Sequence, residues 1–241
     1  MSIIIPTLNE EKALPELLFC IKEQTLKRDN FEVIIADAQS TDKTLQIAKE
    51  FGAKIVNGGT PAIGRNAGAK EAKSDILVFL DADVKFSSIF LEKALELFTN
   101  NNIDVACAFV KIKPSIVVSY FFSNMADNII RFLRQFTNNP IGCGDFIMCK
   151  KNIFNKIGGF DEKMVFGEDI DFLKRAVQNK AKYRILQISY INSPRRIKKI
   201  GISIMMIAFI LFGIASIIGI QKNQKVQKFI EKVYGKVGMV K

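Results

Sequence analysis

Acidic residues stand in this sequence at spacings that let them act together. Asp81 and Asp83 close the apolar run ILVFLDADV at residues 76–84, and Glu168, Asp169 and Asp171 share the four-residue stretch EDID. Two carboxylates spaced i, i+2 beyond a strand converge once the chain turns. Their hard oxygens suit Mg²⁺ or Mn²⁺, an ion that takes one or two carboxylates and completes its shell with phosphate oxygens and water. The pair reads as a metal–diphosphate clamp; the plainer reading is that Asp83 caps the next segment and Asp81 ends a strand. The chain has no histidine, which argues against zinc ligation and against a histidine base. A carboxylate is then the natural general base. Acids in the first turn of a helix are also favoured by its dipole, so at least one of the three in EDID has a purely structural reading.

These residues need a scaffold, and the pattern supplies one. SIII (2–5) reads as a short buried strand, followed by the loop PTLNEE and a helix through about Thr25. FEVIIAD (31–37) is a second strand, and Ser40-Thr41-Asp42 offers a cap for a helix to about Phe51. AKIV (53–56) is a strand, Pro61 opens a helix reaching Lys73, DILVFL (75–80) is the most apolar strand, a helix runs over 88–99, and DVACAFV (104–110) is a further strand. Alternating apolar strands and helices predict an α/β domain with a mostly parallel sheet covered on both faces. In such sheets the ligand lies off the carboxyl ends of the strands. That places Pro6–Glu10, Asp37 and Asp81–Asp83 on one rim. Residues 114–136, rich in Phe and Ile, read equally as a core helix or as a surface helix against lipid.

Charge and hydropathy divide the chain. Residues 195–241 hold ten Lys/Arg and one acid, net +9 of the total +11. The remainder is nearly neutral, which argues against a nucleic-acid face spread over the domain. Cys20, Cys107, Cys143 and Cys149 form no CxxC pair and read as small buried residues in a reducing compartment. The first strand-like run begins at Ser2, so no signal peptide is expected. Residues 200–220, IGISIMMIAFILFGIASIIGI, carry no charge. As a helix they would be about 31 Å long, enough to cross a bilayer core. Arg195, Arg196, Lys198 and Lys199 precede the run and favour a cytoplasmic N-terminal domain. The tail beyond is also basic, with Val226, Phe229, Ile230 and Val233 spaced to lie on a membrane surface. The expected organisation is a domain over 1–196, a single transmembrane helix over 197–222, and a basic amphipathic tail over 223–241.

IPTLNEE, DAQSTDKT, GRNAGA, LDAD, GGFDE and GEDIDF follow one another in register with the α/β pattern. With these six motifs the chain resembles a family 2 glycosyltransferase of GT-A (Rossmann-like) fold over about residues 1–196. The resemblance implies an inverting enzyme moving a sugar from a nucleotide-diphosphate sugar, assisted by Mg²⁺ or Mn²⁺. Pro6, Thr7, Asn9, Glu10 and Asp37 match the residues that hold the nucleoside, while Asp42 reads as a helix cap. Arg65 matches an arginine near the nucleotide, where it would pair with phosphate; otherwise it is a surface arginine. Asp81 matches the aspartate near the ribose or sugar, and Asp83 the one that touches the metal. The resemblance implies Asp169, beside Glu168, as general base. Gly142, Cys143 and Gly144 match an acceptor-side loop, where small residues permit close approach. Arg195 and Arg196 read either as a diphosphate clamp or as lipid-headgroup contacts. Processive members carry QxxRW here; this chain has no tryptophan, which argues against a polysaccharide synthase. The anchor and the apolar 114–136 segment favour a lipid-linked or membrane-proximal acceptor. Two alternatives stay open: transfer to a polyprenyl phosphate, which needs no base, and a nucleotide-sugar-binding subunit without turnover.

Overall fold

The computed structural model describes residues 1–111, 144–192, 222–224 and 226–228. The expectations for 114–136, Gly142, Cys143, Arg195, Arg196 and the apolar run at 200–220 lie outside the described residues. Among the described residues no helix is long and apolar enough to cross a membrane.

Among the described residues eight strands form one sheet: β1 Ser2–Thr7, β2 Glu32–Asp37, β3 Lys54–Asn57, β4 Ile76–Leu80, β5 Val84–Lys85, β6 Val105–Lys111, β7 Phe146–Lys150 and β8 Tyr183–Asn192. Their order is β3-β2-β1-β4-β7-β6-β8-β5. Helices α1 Leu14–Lys22, α2 Thr44–Phe51, α3 Pro61–Glu71, α4 Phe90–Asn100, α5 Lys151–Lys156 and α6 Glu168–Gln178 flank it. The sheet is mixed and, as expected, mostly parallel: β3-β2-β1-β4 pair in parallel and β6 pairs parallel with β8, while β7 inserts antiparallel to both β4 and β6 and β5 runs antiparallel to β8. A strand buried on both faces reads as the same apolar run whichever way its neighbours point, so direction is absent from the pattern.

Period-two alternation sorts side chains between two cores. Ile3, Ile5, Val33, Ile35, Val78 and Leu80 face one side with Leu14, Leu17 and Phe98. Ile4, Ile34, Leu77 and Phe79 face the other with Ala62, Ala69, Phe160 and Phe172. Phe79 is the hub of the second core, with ring centroids 5.0 Å from Phe160 and 5.6 Å from Phe154. Phe160 stacks on Phe172 of α6 at 4.4 Å. Helix α3 approaches β1 closely because its inner face is glycine. A Cβ at Gly68 would stand 2.3 Å from Cγ2 of Ile4, and one at Gly64 3.1 Å from Cβ of Pro6.

Candidate active site

The carboxyl ends of β1, β2 and β4 meet on one rim, as the alternation implied. Thr7 and Asp37 are register partners at the ends of β1 and β2. The Thr7 hydroxyl donates to Asp37 Oδ1 at 2.9 Å; the Ser40 hydroxyl donates to the same oxygen at 2.6 Å and the Ser40 N–H to Oδ2 at 2.8 Å. Asp37 is buried. These bonds fold the loop after β2 back onto the strand end. Asn9 ties that loop to the one after β1: its N–H donates to Ser40 Oγ at 2.8 Å, and its Oδ1 accepts from the Thr41 N–H at 2.8 Å. Asn9 has φ 54°, a left-handed conformation that asparagine tolerates better than most residues. Glu10 is held by its N–H donating to Thr44 Oγ1 at 2.8 Å. Asp42 stands one residue before the N-cap of α2, Lys43, and accepts from the Thr44 N–H at 2.9 Å and from the Glu11 N–H at 3.1 Å. Helix α2 starts at Thr44, later than the sequence suggests.

Below this cradle lies a buried ion network. Arg65, on α3 and 2% exposed, donates from Nη1 to Glu168 Oε1 at 2.5 Å and from Nη2 to Asp81 Oδ1 at 2.8 Å. Its guanidinium carbon lies 5.3 Å from the Phe160 ring centroid. Burial disfavours the cation, but the charges of Asp81 and Glu168 outweigh it and hold the proton more tightly than in water. This corrects the reading of Arg65 as a surface arginine: it is buried, and both Nη atoms pair with carboxylates inside the fold. The adjacent Asn66 was missed by sequence reasoning. It accepts from the Phe160 N–H and donates to the Phe160 carbonyl, each at 2.9 Å. GRNAGA and GGFDE are therefore partners, which a sequence shows only as two separate motifs.

Asp169 differs from its neighbour. Glu168 is fixed by Arg65, whereas Asp169 is half-buried at the first turn of α6, which Gly167 opens at φ 75°. Burial, and then the Glu168 charge, push the Asp169 carboxyl from an ordinary 3.8 up to about 7, with Arg65 pulling the other way. Gly144 lies directly against it: a Cβ there would stand 2.3 Å from Asp169 Oδ2. Asp145, also missed, links this corner to the DAD turn. Its carbonyl accepts from the Asp81 N–H at 3.1 Å, and its Oδ2 accepts from Asn192 Nδ2 at 2.6 Å. The signal available was its place in GCGDF, immediately after the small residues.

The acids at 81 and 83 come together at one turn. Asp81 gives one oxygen to Arg65, and Asp83 is 4% exposed. Among the described residues no three His, Cys, Asp or Glu side chains gather into a metal cage. A pair of hard carboxylates without a full cage fits an ion that completes its shell with a substrate's phosphates and water.

A family model described as glycosyl transferase family 2 matches residues 2–158. An uncharacterized glycosyltransferase of Haemophilus influenzae is 33% identical over 185 residues, covering 74% of this chain and 62% of that protein. The 4,4'-diaponeurosporenoate glycosyltransferase of Staphylococcus haemolyticus is 42% identical over 105 residues, 40% of this chain and 26% of that protein. The chain thus spans less than two thirds of either relative. Among solved structures, mannosyltransferase PcManGT from Pyrobaculum calidifontis, in complex with GDP-Man and Mn²⁺, superposes with a TM-score of 0.64. The match is 20% identical and covers 79% of this chain and 56% of that one. At that identity the likeness shows the fold.

Proposed function

Because the chain belongs to glycosyl transferase family 2, we propose that it moves a sugar, with inversion, from a nucleotide-diphosphate sugar to a lipid-linked or membrane-proximal hydroxyl. The observation that carries the reading is Asp169: a half-buried carboxyl pushed up to about 7, lying against Gly144 and beside the DAD rim. A base poised near neutral pH accepts a proton efficiently and still exists ionised. Asp169 takes the proton from the acceptor hydroxyl as that oxygen bonds to the anomeric carbon. The bond from that carbon to the diphosphate breaks, and the nucleoside diphosphate leaves from the opposite face. Asp37, Asn9 and Glu10 frame the cradle for the nucleoside, and Arg65 holds Asp81 and Glu168 in place around the reacting sugar.

Asp83, with Asp81, would hold Mg²⁺ or Mn²⁺ against the donor. When bound, the ion supplies positive charge against that developing on the leaving diphosphate. PcManGT carries Mn²⁺ and GDP-Man, which supports a divalent ion and a nucleotide sugar here. The membrane part of the reading rests on the uncharged run at 200–220 and the basic residues around it, which would bring the domain to a bilayer.

The test screens UDP- and GDP-sugars for thermal stabilisation, with Mg²⁺ or Mn²⁺ and with chelator, then assays turnover of the stabilising donor. Stabilisation that needs metal and disappears in Asp83→Ala is expected. Asp169→Asn should abolish turnover while keeping the donor-induced shift. Turnover largely surviving in Asp169→Asn would indicate an acceptor already ionised, such as a polyprenyl phosphate. Donor binding with no turnover on any acceptor would leave only a binding subunit.

A further inference from the structure

Lys222 and Gln227, after the apolar run, do not stand apart from the domain. Lys222 pairs with Asp161 at 3.0 Å and with Asp171 of α6 at 2.9 Å. Gln227 is 5% exposed although it lies in a basic, polar stretch. Its Oε1 accepts from the Val165 N–H at 2.9 Å and from the Phe166 N–H at 3.2 Å, and its Nε2 donates to the Phe166 carbonyl at 3.3 Å. A single side chain thus satisfies three backbone groups of a loop about 60 residues earlier in sequence. Buried backbone groups left without partners are costly, so this loop has its conformation set from outside.

That loop runs straight into the site. Phe166 precedes Gly167, the left-handed residue that opens α6, and Glu168 and Asp169 follow at once. The Gly167 carbonyl accepts from the Asp171 N–H at 3.0 Å, and Asp171 is in turn gripped by Lys222. Gln227 therefore fixes the turn from the N-terminal side and Lys222 fixes the helix one turn further on. Between them lie the two acids that face Arg65 and Gly144.

We propose that Lys222 and Gln227 form a clasp that positions Asp169, which makes both of them positioning residues for the transfer. Neither residue touches the reacting atoms; both act through the 165–171 backbone. The proposal rests on the reading of Asp169 as the base. It makes a chain lacking these contacts able to bind the donor but poor at transfer, because a misplacement of about 1 Å at a catalytic group costs roughly 10²-fold in rate.

The experiment uses the full chain. Gln227→Leu keeps the side-chain bulk but removes all three hydrogen bonds; Gln227→Glu keeps acceptors for the two N–H groups. In Gln227→Leu, kcat should fall at least about tenfold with donor KM changed less than about threefold, the acid limb of the pH profile should shift, and amides 165–166 should exchange faster. Gln227→Glu should restore most of kcat. Lys222→Met, a second variant that leaves Gln227 in place, should lower kcat in the same direction. An unchanged kcat and pH profile in a folded Gln227→Leu, or unprotected 165–166 amides in the parent, would overturn the clasp. A parent without turnover on any acceptor would instead sink the glycosyl-transfer reading, and the exchange measurement would still report on the contact.

Discussion

At Asp169 and Arg65 burial acts on opposite charges, with different outcomes. Arg65 has two carboxylates within hydrogen-bond distance and stays a cation; Asp169 has a like charge next to it and is pushed toward its neutral form. Two consequences can be measured. Turnover on a hydroxyl acceptor needs the ionised base, so kcat/KM should fall on acidification with an apparent midpoint near 7. For stability, the folded pKa lies above the unfolded one. The contribution is fully present below about pH 4 and is lost as pH rises through about 7. Asp169→Asn should therefore melt above the parent at pH 8, the gap closing toward pH 5; no pH dependence in the difference would refute the shift. Arg65→Met leaves Glu168 and Asp81 buried without their cation. A loss of about 3–5 kcal/mol in urea unfolding is expected, and a loss below about 1 kcal/mol would show that the network contributes no net stability.

Helix α3 and the Gly144 corner show how elements set the distances. Gly68→Ala gains roughly 1 kcal/mol of helix propensity but forces a methyl to 2.3 Å from Ile4 Cγ2. Overpacking of this kind costs about 1–3 kcal/mol, so the variant should be less stable by up to about 2 kcal/mol. A stabilised variant would mean that α3 can lift off β1 freely. Gly144→Ala drives a methyl into the Asp169 carboxylate. It should lower kcat by about 10²-fold while donor stabilisation persists; equal loss of both would place Gly144 in the fold alone. IPTLNEE and DAQSTDKT were legible at this scale because each joins a strand end to a helix start. Asn66 and Asp145 were not, since their value lies in partners about 94 and 47 residues away.

For the whole molecule, Asn192 at the end of β8 and Lys222 beyond the apolar run sit on the same domain. A run crossing a bilayer once would put Lys222 on the side away from Asp171, so the clasp and a single crossing exclude one another. With native cysteines replaced, Lys228→Cys and Lys49→Cys should be labelled from the same side of sealed vesicles; labelling from opposite sides would break the clasp. What the sequence determined by itself was local: apolar alternation placed β1, β2, β4 and β6, turn chemistry placed Asp42 just before α2, and residue type put carboxylates on one rim. Strand direction around β7, the internal pairing of Arg65, the different surroundings of Glu168 and Asp169, and the return of Gln227 were decided only by tertiary structure. Each of those depends on which distant group stands within about 3 Å in a medium from which water is excluded, and a sequence does not contain that distance.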